Sequence, residues 1–130
     1  MALIVLDASV VIAVTDQGDD LHVASVEALR HHVDDELRLP ASAYAECLVG
    51  PARRGTLDLA RRNIVQLGIE VVPIDDAIAV KAAEIRAGAR AVGLPDALVL
   101  ASGEIVDADV VLTADRRWAP FARVRVLGAK

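Results

Sequence analysis

The sequence has one cysteine, three aromatic residues and two lysines, and no apolar run approaches the roughly 20 residues that would cross a bilayer. A lone cysteine, Cys47, closes no internal disulfide and builds no zinc site, and its neighbours Leu48 and Val49 point to packing rather than reactivity. With so few aromatics, the 55% hydrophobic fraction rests on Ala, Val, Leu and Ile, a composition suited to parallel strands covered by helices. The opening Met1-Ala2-Leu3-Ile4-Val5-Leu6-Asp7 places an acid where a signal peptide would continue apolar, so a soluble, cytoplasmic protein with no membrane association is expected. Acidic residues outnumber basic ones, 19 to 14. A net charge of -5 argues against a protein that coats nucleic acid by electrostatics alone. It is compatible with an enzyme whose clustered carboxylates hold divalent cations while separate arginines meet phosphate. No Pro-, Gly- or Ser-rich stretch, repeat or low-complexity segment divides the chain, so one domain over residues 1–130 is expected.

Ala2 to Leu6 reads as a buried strand ending at Asp7, and Ser9 opens a short helical segment from Val10 to Val14. Asp19 or Asp20 is placed to cap a helix from Leu21 to about His32. Leu37 to Leu39 is a short strand stopping at Pro40. Ser42 is the expected N-cap of a helix to about Arg53, and Gly55-Thr56 separates it from another helix ending near Gly68, the two forming a helical hairpin. Ile69 to Ile74 is strand-like, and Asp75 caps a long helix reaching about Val92. After Gly93-Leu94-Pro95 a further helix ends near Val106, followed by a strand from Ala108 to Leu112, the loop Thr113 to Arg117 and a weaker strand over Val124 to Leu127. Strands separated by helices, with no hairpin signal, imply an α/β/α sandwich: a mostly parallel sheet covered on both faces, with ligands gathering at the carboxyl ends of its strands.

Four acids stand at defined steps of this alternation. Asp7 emerges from an unbroken apolar run, where it either caps the next helix or serves a site. Glu46 interrupts an apolar part of a helix, with Ser42, Gly50 and Arg53 as its wheel neighbours. It is either a solvated acid paired loosely with Arg53 or a ligand with open space above it. Asp96 follows Pro95 in a first helical turn, where an acid also suits the helix dipole. Asp115 lies two residues past Thr113 in a loop that would ordinarily use it as a turn residue. Phosphodiester hydrolysis needs an activated water and stabilisation of charge on phosphate and leaving oxygen, and hard cations held by several carboxylates supply both.

The motifs Leu6-Asp7-Ala8-Ser9-Val10-Val11, Ala45-Glu46, Pro95-Asp96-Ala97-Leu98 and Leu112-Thr113-Ala114-Asp115 resemble, in order and spacing, the four acidic motifs of PIN domains. Length and the helical hairpin are similar to VapC-like toxins of bacterial toxin-antitoxin pairs. The resemblance implies a PIN-like fold and a catalytic site of Asp7, Glu46, Asp96 and Asp115 that binds magnesium, or manganese, and cuts RNA endonucleolytically. Asp7 and Asp96 would ligate the metal. Glu46 would complete the cluster or orient water, and Asp115 would bind a second cation or act through water. Ser9 and Thr113 would fix the carboxylates by hydrogen bonds. As partners it implies an RNA substrate, a VapB-like antitoxin, and a homodimer or toxin-antitoxin hetero-oligomer.

Arg116 and Arg117 follow Asp115 directly and are expected to contact RNA phosphate, whereas Arg53, Arg54, Arg61 and Arg62 fall in the helical hairpin. Trp118 and Phe121 are placed either to stack bases or to pack in the core. His22, His31 and His32 show no ligand spacing with the acids and are given no catalytic role. A receiver-like phosphoryl-transfer domain would need a lysine on a short loop after the last strand, and neither Lys81 nor Lys130 stands there. The remaining alternative is a catalytically silent PIN-like RNA-binding or interaction module, which would normally have lost an acid.

Overall fold

A computed structural model describes residues 1–128 of the chain. It begins with strand β1 (Leu3–Leu6), which leads straight into helix α1 (Ala8–Thr15), and helix α2 (His22–His31) follows. Strand β2 (Glu36–Pro40) is followed by α3 (Ala41–Arg54), α4 (Leu57–Gln66) and strand β3 (Ile69–Val72). The second half comprises α5 (Asp76–Gly88), α6 (Leu94–Ile105), β4 (Val110–Thr113), a single 3-10 turn (Arg116–Trp118) and β5 (Val124–Val126).

The strands form one sheet in the order β3-β2-β1-β4-β5, and every pairing is parallel. The expected α/β architecture is therefore present, with a sheet that is wholly parallel over the described residues. Its two central strands explain the apolar composition. Ile4, Val5 and Leu6 of β1 are completely buried and all four residues of β4 are buried, so both sheet faces are covered and the strands show no polar alternation. From β1 the chain turns first to β2 and β3 on one side, then to β4 and β5 on the other. The order reverses at the boundary between β1 and β4, where Leu6 sits level with Leu112 and the Asp7 N–H donates to the Leu112 carbonyl at 2.9 Å. Crevices of this kind, beyond the carboxyl ends of strands, are where open parallel sheets bind ligands.

Helix α6 lies against β4 so closely that a Cβ on Gly103 would run into the Val111 side chain, which is why glycine interrupts an otherwise good helix there. Gly55, at φ 76°, ends α3 in the left-handed region and lets α4 fold back, giving the helical hairpin between β2 and β3.

Local details differ from the sequence reading. Helix α3 starts directly at Ala41, with Pro40 as its cap residue, so Ser42 is inside the first turn and its buried hydroxyl has no hydrogen-bond partner among the described residues. β2 pairs with β3 as far as Pro40, which leaves no room for a separate capping residue. Neither Asp19 nor Asp20 caps α2: Leu21 holds that position, and Asp19 accepts from the Leu21 N–H within the preceding turn. Asp75 does cap α5, accepting from the Ile78 N–H at 2.9 Å, but that helix ends at Gly88 rather than near Val92. β3 ends at Val72 rather than Ile74, because its partner strand finishes at Pro40.

Candidate active site

Asp7 is the residue around which the sheet edge is organised. It is only 8% exposed, and it caps α1 while standing at the end of the central strand. Its Oδ1 accepts from the Ala8 N–H at 2.8 Å; its Oδ2 accepts from the Ser9 hydroxyl at 2.8 Å and the Thr113 hydroxyl at 2.9 Å. Those hydroxyls are themselves fixed. Ser9 Oγ accepts from the Ala114 N–H at 3.1 Å, and the fully buried Thr113 Oγ1 accepts from the Asp115 N–H at 3.0 Å. A buried carboxylate survives when every nearby donor is committed to it, and here the network also ties β1 to the loop after β4. The capping and functional readings of Asp7 are thus compatible, since one oxygen caps the helix and the other is held by side chains.

Glu46 on α3 and Asp96 in the first turn of α6 are both electrostatically coupled to it. Burial pushes the Glu46 carboxyl above its ordinary range, with the charges of Asp7 and Asp96 adding to the effect. Burial is likewise the main cause of an upward shift at Asp96; the charges of Asp7 and Asp115 add to it, while Arg117 and the Trp118 indole partly oppose it. Among the described residues Glu46 makes no ion pair or hydrogen bond through its carboxylate, so of its two readings the loose pairing with Arg53 is absent. It opens instead on a cavity of about 340 Å³ that Thr15, Asp16, Gly50 and Arg54 also line. Arg54 went unremarked in this role because its guanidinium reaches back over Gly50, a position only the folded helix reveals. Cys47, next to Glu46, is buried, and its thiol is pushed up to about 12 by burial and by the Glu46 and Asp7 charges. It stays a protonated packing residue.

Asp115 differs from the other acids. Arg117 folds back onto it, with Nη2 2.6 Å from Oδ2 and Nε 3.0 Å from Oδ1, and this pairing holds the Asp115 carboxyl below the usual range. The same Nη2 stands 3.9 Å from Asp96 Oδ2. Arg117 is therefore engaged with the acids rather than extended for phosphate, while Arg116 is exposed and makes no ion pair among the described residues. Trp118 is 1% exposed, so it packs in the core, and its buried indole nitrogen lies near enough to Asp96 to favour that carboxylate without reaching full hydrogen-bond geometry with any described residue. Phe121 packs partly buried against the same core. The histidines lie elsewhere: His22 is bonded to the Ala13 carbonyl at 2.7 Å and His32 to Asp35 at 2.8 Å. Lys81 pairs with Glu104 at 3.1 Å, and Lys130 lies outside the described residues.

The donor chemistry fits a hard divalent cation. The side chains are carboxylates whose charges disfavour one another's ionised forms at Glu46 and Asp96, with Arg117 the cation beside Asp96 and Asp115. Among the described residues no three such side chains stand close enough to enclose an ion by themselves.

The PIN-domain family model matches residues 4–127, and the chain belongs to that family. Among solved structures, a toxin-antitoxin complex from Klebsiella pneumoniae superposes with a TM-score of 0.80 at 19% identity, covering 97% of both chains. VapBC2 from Rickettsia felis, bound to a DNA fragment from its promoter, matches at 0.76 and 11% identity over 96% of this chain and 98% of that one. The sarcin-ricin-loop-cleaving toxin VapC20 of Mycobacterium tuberculosis matches at 0.73 and 18% identity over 94% and 98%. At these identities the likeness is one of fold. No curated protein matches the sequence significantly.

Proposed function

We propose that this chain, as a single PIN domain over residues 1–130, is a divalent-metal-dependent endoribonuclease and the toxin of a VapBC-type pair. The observation that carries the reading is Asp7: a buried carboxylate at the strand-order reversal, gripped by Ser9 and Thr113, whose charge reaches both Glu46 and Asp96. The ionised forms of these two are disfavoured even with Arg117 3.9 Å from Asp96, a condition that favours added positive charge.

Asp7 and Asp96 would hold magnesium or manganese, with Glu46 and Asp115 completing the set directly or through water. The bound ion would supply a nucleophilic water near neutral pH and offset charge on the phosphate. The chain's own part is positional. Ser9 and Thr113 keep the Asp7 carboxylate from rotating, Glu46 would orient the attacking water, and Arg116, with Arg117 once it leaves Asp115, would meet the phosphates of the RNA. Exposed Leu57, Leu59 and Val65 on α4 and Val80 on α5 offer apolar surface for a VapB-like antitoxin or a second copy of the chain. Among the described residues no helix is long and apolar enough to cross a membrane, which is compatible with work in the cytoplasm.

A second reading, a catalytically silent RNA-binding or interaction module, draws on the incomplete enclosure of the acids and on Arg117 sitting against Asp115. Induced expression in a bacterial host separates the two. The wild type should arrest growth with new RNA ends, and both effects should vanish with Asp7→Asn or with co-expression of the cognate antitoxin. Growth and RNA left unchanged by well-expressed wild type would remove the toxin reading.

A further inference from the structure

Arg117 makes four contacts to one carboxylate. Its backbone N–H donates to Asp115 Oδ1 at 2.9 Å, Nε lies 3.0 Å from Oδ1 and 3.2 Å from Oδ2, and Nη2 lies 2.6 Å from Oδ2. Three N–H groups of one residue, the Nε–H shared between both oxygens, therefore hold most of the roughly four acceptor positions of the Asp115 carboxylate, and a cation or its water must compete with them. The remaining reach of Nη2, at 3.9 Å from Asp96 Oδ2, puts the same guanidinium on the second acid. Two of the four proposed ligands are thus attended by one tethered positive charge. The tether is short, because Arg117 sits in the 3-10 turn that Asp115 itself caps. Yet the Arg117 side chain is 65% exposed, and exposed ion pairs contribute little, so the guanidinium can leave at small cost.

Resting on the metal-nuclease reading, we propose that Arg117 is an exchangeable counter-ion. It occupies Asp115 and Asp96 while the site is empty, is displaced when a divalent cation takes those oxygens, and then turns its fork to an RNA phosphate. Cation and substrate binding are thereby coupled through one side chain. Each cation bound frees a bidentate phosphate donor, and each phosphate bound by Arg117 removes a competitor from the acids. The alternative role, a positioning residue that holds Asp115 ready for the metal, predicts the opposite sign when Arg117 is removed.

The experiment measures Mn2+ affinity of the full chain by titration calorimetry, and affinity for a cleavage-resistant 2′-O-methyl RNA oligonucleotide in saturating Mn2+. Arg117→Ala should bind Mn2+ about fivefold more tightly and the oligonucleotide about fivefold more weakly, and its plot of log affinity against log salt should be shallower by roughly 0.7. Arg116→Ala, which removes an equal charge without a contact to the acids, should leave Mn2+ affinity within about twofold of wild type. Unchanged or weaker Mn2+ binding by Arg117→Ala, or equal tightening by Arg116→Ala, would overturn the exchange while leaving the nuclease reading intact. A wild type that takes up no Mn2+ at all would overturn both.

Discussion

Thr113→Val tests whether the Asp7 network is structural glue or merely a set of compatible contacts. Valine keeps the shape of the buried side chain and deletes its hydroxyl, which both donates to Asp7 Oδ2 at 2.9 Å and accepts from the Asp115 N–H at 3.0 Å. A buried hydrogen bond to a charged acceptor contributes about 1.5–3 kcal/mol, and leaving the Asp115 N–H without its acceptor adds about 1 kcal/mol more. A total loss of roughly 2–4 kcal/mol corresponds, for a chain of this size, to a fall in Tm on the order of 10 °C. Thr113→Ser retains the hydroxyl and removes one buried methyl, costing about 1 kcal/mol. Urea melts in EDTA give the stability difference between the two variants, and RNA cleavage in magnesium shows whether a freely rotating Asp7 still supports the chemistry. A valine variant as stable and as active as the serine variant would refute the claim that this hydroxyl holds Asp7.

Glu46→Gln and Asp96→Asn should match or exceed the wild-type Tm at neutral pH in EDTA, because folding disfavours ionisation of both carboxyls. Their folded values lie above the unfolded ones, so the stability they contribute is full below the ordinary carboxyl range and is lost as pH rises through the folded values. The variants' advantage should therefore disappear in acid, and added magnesium should favour the wild type; a wild type more stable than both variants in EDTA at pH 7 would contradict the repulsion. Asp115 has the opposite sign, since Arg117 lowers its titration, and stability from that pair should fade as pH drops through the folded value. Gly103→Ala, which raises helix propensity, should nonetheless destabilise the protein by about 1–3 kcal/mol because the new Cβ meets Val111; an unchanged urea midpoint would show that α6 can shift away from β4.

The order of strands and helices was readable because both sheet faces are buried, so strands appear as unbroken apolar runs and helices as the segments between their caps. Asp7 stood out for the same reason, as the acid ending Ala2 to Leu6. Ser42 was misread since a serine before an apolar segment carries the cap signal whether or not the preceding strand leaves space for it. The end of α5 was extended past Gly88 because Ala89, Ala91 and Val92 continue an apolar pattern that the fold does not use as helix. Side-chain direction was the least legible property. Arg116 and Arg117 are identical in sequence terms, yet among the described residues Arg116 makes no ion pair while Arg117 closes on Asp115 within the 3-10 turn. The orphaned Trp118 indole nitrogen, likewise, depends on which groups the core brings beside it.

If a metal held around Asp7 is what cuts RNA, removing the Asp7 charge and removing the metal should have the same effect. Purified wild-type chain and Asp7→Asn should be compared for RNA cleavage in magnesium and in EDTA, with thermal melts confirming that both are folded. Asparagine keeps the size of the side chain and removes its charge, so cleavage should be at least ~100-fold slower, about 2.7 kcal/mol at the transition state, and the wild type should not cleave in EDTA. Full activity from a folded Asp7→Asn protein, or wild-type cleavage undiminished by EDTA, would contradict the metal-nuclease reading.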